Sequence, residues 1–390
     1  MKKRVQIILI AAFAAISANL FGQTTTANST KSSYRPLQLS LVPYIGTNGI
    51  ESASTSNYTS INLIGGISNN VGAAEIAGVL NIVKNDVRGF QASGVANLTK
   101  GFVGGFQTSG ILNTSNTLLG LQLAGVANLN KKEANGNQIA GVVCLSKSIK
   151  GTQISGVYNY ADSSDGCQLS GIANFSRKAT GLQAASVVNI ADTISGVQVA
   201  GIVNKARLAR GVQVGIVNIA DSCTGVSVGI VNIIKSGYHQ LEFSGDELFY
   251  TNLAYRSGLK KLHSIVSAGI RPDYNDKTAW SIGFGVGSSK SLSPNLLLDM
   301  EMSYAQIIIN DRFKDDNKLF KIYVGVDRYL FRGVSVALGL SANAMIYSTS
   351  NDFNRKQMEN LIPYTITSDK LNEHKHISGW IGGKIAIRFN

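Results

Sequence analysis

Residues 151–210, GTQISGVYNYADSSDGCQLSGIANFSRKATGLQAASVVNIADTISGVQVAGIVNKARLAR, run through one short unit four times. Each copy reads Gly-x-Gln, a small residue and usually Gly, then Val or Ile, then Asn. The Gln positions recur at Gln91, Gln107, Gln122, Gln138, Gln153, Gln168, Gln183, Gln198 and Gln213, in steps of 15 or 16. Glu75 extends the column backward and Ser227 forward. Three residues after Gln stand Gly94, Gly110, Gly125, Gly141, Gly156, Gly171 and Gly201, with Ser186 as the exception. Six residues after Gln stand Asn97, Asn113, Asn128, Asn159, Asn174, Asn189 and Asn204. Cys144 takes one Asn position. The last two copies lose a residue, so Asn218 and Asn232 arrive one position early.

An up-and-down barrel inverts every second strand, so its natural repeat is a hairpin. A single-strand period of 15 favours parallel stacking, in which every copy meets the same surroundings and buries its apolar positions against the next copy. Fifteen residues suit one narrow coil of short strands and turns. Glycine permits close backbone approach, and stacked Gln and Asn side chains form ladders between coils. Roughly ten coils at ~4.8 Å each predict a rod about 50 Å long. A charged column three residues beyond Asn contains Asp162, Arg177, Asp192, Arg207 and Asp221, alternating in sign. Parallel stacking makes these residues neighbours in adjacent coils, where opposite charges attract.

The N-terminus, MKKRVQIILIAAFAAISANLFGQ, sets Lys2, Lys3 and Arg4 before an apolar run too short to span a bilayer, and reads as an export signal. The net charge of +13 is spread along the chain, which argues against a nucleic-acid footprint. Cys144, Cys167 and Cys223 are odd in number and irregular in spacing, so they read as free thiols and not as a disulfide framework.

After Lys235 the period vanishes and longer alternating strands begin. AWSIGFGVG sets Trp280, Ile282, Phe284 and Val286 on one face, and the final HISGWIGGKIAIRFN alternates Ile381, Gly383, Ile385, Ile387 and Phe389 against Gly382, Lys384, Ala386 and Arg388. Apolar-out strands of about ten residues, joined alternately by short and longer polar segments, are what an outer-membrane β-barrel requires. Seven strands are legible from 248 to 389. The segment PLQLSLVPYIG, 36–46, supplies a candidate eighth, which would put the repeats between the first and second barrel strands and display them at the cell surface. A first strand near His239–Phe243 would instead leave them in the periplasm.

The expectation is therefore all-β: a parallel β-solenoid of about 15-residue coils combined with a small antiparallel outer-membrane β-barrel. Its parts are a signal peptide (1–22), a polar segment (23–35), a candidate first barrel strand and lead-in (36–60), the repeat solenoid (61–235) and the barrel region (236–390). PLQLSLVPYIGTNG, the Gly-x-Gln-x-x-Gly-x-x-Asn array and GWIGGKIAIRFN together resemble the bacterial surface-repeat proteins of spirochaetes and Bacteroidetes. That resemblance implies surface exposure and carries no catalytic residues across.

Chemistry is sparse. Asp162, Asp192 and Asp221 share one column at spacings a carbohydrate-active solenoid could use, but each has a cation beside it, which makes a poor general acid. His374 and His376 form an isolated loop pair. GFGVG at 283–287 lies in a strand with no helix behind it to receive a phosphate. Asp299, Glu301, Lys321, Asp327, Lys384 and Arg388 face inward, where they would pair inside a small barrel. The reading is a non-enzymatic outer-membrane protein with no cofactor and no nucleic-acid partner, touching membrane lipid and an envelope or surface ligand. Two other readings stay open: a channel whose wall includes the repeats, and a carbohydrate-active solenoid.

Overall fold

A computed structural model describes residues 34–274, 277–309, 317–350 and 352–390. The expected signal peptide and nearly all of the polar segment lie outside these residues, as do parts of the joints after Arg271 and Ile309.

The repeats stack in parallel, one coil per unit, into a solenoid of about 12 turns. The sequence columns are the structural register: Gln107 pairs with Gln122, Gln138 with Gln153, and Asn174 with Asn189. Each coil turns a tight corner at the repeat's second glycine. Strand Val143–Ser155 ends and Tyr158–Ser170 begins across Gly156-Val157. A Cβ on Gly156 would sit 2.2 Å from the carbonyl oxygen of Gly141, so the coils close to stacking distance only because that atom is missing. The first glycine of the unit does a different job. Gly151 has φ +131°, a conformation that favours residues without a Cβ.

The segment 36–46 is not a barrel strand. Tyr34–Val42 pairs in parallel with Ser56–Asn62, and Ile45–Gly46 folds back on it antiparallel, so this stretch is the first coil and its cap. Leu37, Leu39 and Leu41 do point outward, each 46% exposed, as barrel residues would. The discriminating residue is Gln38 between them, which is fully buried and donates to the Ile67 carbonyl at 3.2 Å.

The barrel begins directly after the last coil, which ends at Ile234. Its eight strands are Tyr238–Asp246, Thr251–Leu259, Leu262–Tyr274, Lys277–Ser293, Leu296–Ile309, Lys318–Phe331, Val334–Ser348 and Lys375–Phe389. The first pairs with the last, Phe243 opposite Ile387, and closes the wall. Thr367–Asn372 adds a short ninth strand against the upper part of the last. The repeats pair among themselves in a sheet separate from the barrel sheet, so they form no part of its wall.

Parity then fixes the layout. The solenoid, the C-terminus and the two-residue turns Lys260-Lys261, Pro294-Asn295 and Arg332-Gly333 share one end of the barrel. The other end carries the joint 247–250 and the joint 349–374 with its helix Asp352–Leu361, and the strands Leu262–Tyr274 and Lys277–Ser293 also meet there, across two residues.

Candidate functional site

The solenoid interior is built from amides on one side. Every Gln of the column is fully buried, and each from Gln107 onward donates from Nε2 to Oε1 of the Gln one coil earlier: Gln107 to Gln91 at 2.7 Å, Gln168 to Gln153 at 2.8 Å, Gln213 to Gln198 at 2.9 Å. The Asn column runs the opposite way. Asn97 donates to Asn113 at 2.9 Å, Asn174 to Asn189 at 2.9 Å, and Asn218 to Asn232 at 2.8 Å, each one coil later. The second Nδ2 hydrogen fixes this direction, because it donates to a backbone carbonyl of the next coil, as Asn174 does to Ala184 at 2.8 Å. Two ladders of aligned side-chain dipoles thus run antiparallel along the rod, and their fields oppose each other.

Apolar packing occupies the other half of the interior. Val71, Val87, Val103, Leu118 and Ile149 stack there, followed by Ala179, Ile194 and Ala209. The exterior is crossed relative to this arrangement. Outside the apolar half lie the charged residues. Outside the amide half lie mostly apolar residues, Val and Ile with Phe90, Phe106 and Phe175, interrupted by exposed Lys205. The apolar residues next to Gln and Asn were expected to be buried between coils, yet Ile154, Val157, Ile172 and Val199 are 37–47% exposed.

The ladders end at identifiable groups. Glu75 starts the Gln column as a pure acceptor when ionised, taking Gln91 Nε2 at 2.8 Å, and desolvation by burial pushes its carboxyl up to about 7 against those hydrogen bonds. Ser227 donates to Gln213 at 3.4 Å at the other end. The Asn column passes into the barrel, where Asn232 Nδ2 donates to Ser264 Oγ at 3.1 Å and Asn232 N donates to Ser257 Oγ at 3.1 Å. Cys144 interrupts it. Asn128 Nδ2 stands 4.0 Å from the sulfur, and Asn159 Oδ1 has no hydrogen-bond partner among the described residues. Burial pushes that thiol up to about 12.

In the charged column, Arg177 meets Asp162 at 3.1 Å and Lys235 meets Asp221 at 2.6 Å. The hydrogen bond from Lys235 holds the Asp221 carboxyl below its ordinary range, and Arg207 adds a longer-range contribution. Asp162 and Asp221 are thus each joined to a cation one coil later, contacts that tie adjacent coils together.

Charged residues fill the barrel lumen. Arg256 pairs with Glu242 and Glu301 at 2.8 Å each, and Lys384 with Glu301 at 3.0 Å. Arg388 binds Glu242 at 2.7 Å, Asp327 at 3.0 Å and Asp299. Lys321 reaches Asp246 at 2.6 Å. Sequence reading missed Arg256 and Glu242, although the alternation Leu253-Tyr255 and Leu241-Phe243 places both on the inward face. Beyond this layer, Leu248, Phe249, Met345 and Trp380 pack with Met358 and Leu361 of the helix, stopping the end away from the solenoid. His376 packs against Tyr347, with ring centroids 6.1 Å apart. Among the described residues, no group of three or more His, Cys, Asp and Glu is placed to hold a metal ion, and no helix is long and apolar enough to cross a membrane.

The barrel's outer wall is apolar, with Ile282, Met302, Ile322, Leu338, Leu340 and Ile385 each 56–67% exposed. Where the last coils meet that wall lies a cleft of about 430 Å³, lined by Val214, Ile216, Val228 and Ile230 of the solenoid and by Phe284 and Val286 of the barrel. No protein family, curated protein or solved structure matches the chain.

Proposed function

We propose that this chain is a non-enzymatic outer-membrane protein in which a closed eight-stranded barrel anchors a rigid amide-cored solenoid with a structural or partner-binding role in the cell envelope. One observation carries the reading: the barrel exposes apolar side chains outward and pairs Arg256, Arg388 and Lys384 with four carboxylates inside. A water-soluble barrel would gain nothing from this inversion, whereas a bilayer requires it. The filled lumen and the helix-sealed end favour anchoring over conduction.

The repeats belong, on this reading, to the periplasm. Short turns of outer-membrane barrels lie on the periplasmic side, and the solenoid leaves the barrel from its short-turn end. Surface display rested on a barrel strand at 36–46, which is instead part of the first coil. The likeness to spirochaete and Bacteroidetes repeat proteins is retained for the repeat motif, without its implied exposure.

The test is fractionation with gel mobility. The mature protein is expected in the outer-membrane fraction, migrating faster unheated than boiled. Recovery as a freely soluble species with heat-independent migration contradicts the anchor.

A further inference from the structure

At the solenoid corners, the residue after the second glycine, or after Ser186 in its place, is Val or Ile and points outward. Val95, Val157, Ile172, Ile202, Ile216 and Ile230 mark a ridge along the rod, each 37–47% exposed. Exposed neighbours such as Ile154, Val199 and Val228 widen it. Repeated along the rod, these positions form an extended apolar surface, the kind of feature that marks an interaction site. The side of the rod over the apolar half-core carries exposed Lys150, Arg177, Lys178 and Arg210, so the solenoid is amphipathic across its width.

The ridge does not end in water. It runs into the cleft where Ile216 and Ile230 face Phe284 and Val286, residues of the barrel's outer wall. The apolar surface of the solenoid is thereby continuous with the surface assigned above to lipid contact. We propose that the ridge seats on the bilayer leaflet around the barrel's short-turn end, with the charged side turned to water, in the manner of an interfacial amphipathic element. This rests on the barrel being a membrane anchor. The occupant is lipid because the one surface the ridge joins is the wall that faces lipid. The β-branched corner residues need no polar partners, and Gly at the preceding position lets them form an even edge.

The experiment uses full-length protein in which Cys167, the only half-buried native thiol, is replaced by Ser. Single cysteines at Val95, Val157 and Ile216 report the ridge, Arg177→Cys the charged side and Ile322→Cys the barrel wall. Each is labelled with an environment-sensitive fluorophore and reconstituted into phosphatidylcholine–phosphatidylglycerol vesicles with or without brominated acyl chains. Variants are compared only in their heat-modifiable form, and Ile172→Cys replaces Val157→Cys if the latter does not attain it. Expected is at least twofold stronger quenching at all three ridge positions than at Arg177→Cys, together with strong quenching at Ile322→Cys. Quenching at Ile322→Cys with ridge signals equal to Arg177→Cys overturns the inference and leaves the anchor intact. Absence of quenching at Ile322→Cys overturns both. Unquenched ridge positions that form disulfides between copies identify a second chain as the occupant and overturn lipid seating.

Discussion

Glu75 is the residue at which the solenoid meets pH. Its column demands an amide, and a carboxylate there is buried with no counter-charge among the described residues. Its ordinary pKa of 4.5 applies in the unfolded chain and about 7 in the folded one. The folded state therefore holds the proton more tightly, and this contribution to stability is fully present below about pH 4.5 and lost as pH rises through 7. The shift corresponds to roughly 3 kcal/mol at alkaline pH. Glu75→Gln is expected to match the wild type in thermal melts at pH 4 and to exceed it at pH 8. Parallel pH profiles for the two proteins would contradict this. Cys144→Asn tests the same ladder logic in mid-column. It offers Asn128 a carbonyl in place of a distant sulfur and gives Asn159 Oδ1 a donor, so a gain of about 1–2 kcal/mol in denaturant unfolding is expected. A loss would mean that the column does not accept an amide there.

At the scale of the coil, the charged column adds little energy but reports geometry. Arg177→Glu breaks the 3.1 Å contact with Asp162 and is expected to cost no more than ~1 kcal/mol, because the arginine side chain is 73% exposed. Adding Asp162→Lys should recover most of that cost at low salt and little at high salt. Strictly additive effects at low salt would separate the two residues in space. The period was legible in the sequence because parallel, in-register stacking turns each column into a ladder of identical neighbours. Which face went inward was not. Gln and Asn are ordinarily surface residues, and only mutual pairing of Gln153 with Gln138 and Gln168 makes their burial affordable. The expected burial of apolar positions against the next coil therefore does not hold at Val157 and Ile172, which face outward. The misplaced strand at 36–46 has the same origin, since Leu37, Leu39 and Leu41 point outward from a solenoid coil as they would from a barrel.

For the whole molecule, the decisive segment is Tyr238–Asp246, nine residues lying directly against the last coil. The sequence offers it only as the alternative first strand near His239–Phe243, because it is short and abuts the repeats, although Leu241 and Phe243 alternate with Gln240 and Glu242 in the barrel pattern. Once it is the first strand, the closing pair with Lys375–Phe389 and the even strand count set the repeats on the short-turn end. Inward Asp299, Glu301, Asp327, Lys384 and Arg388 were legible from alternation alone. Their partners Glu242 and Arg256 sit on the first two strands, Tyr238–Asp246 and Thr251–Leu259. The measurement that bears most directly on this arrangement is cysteine accessibility to a membrane-impermeant maleimide in intact cells, on the Cys167→Ser background. Glu373→Cys, in the long joint, is expected to label in intact cells, while Arg177→Cys labels only after the outer membrane is permeabilised. Labelling of Arg177→Cys in intact cells with Glu373→Cys protected would contradict it.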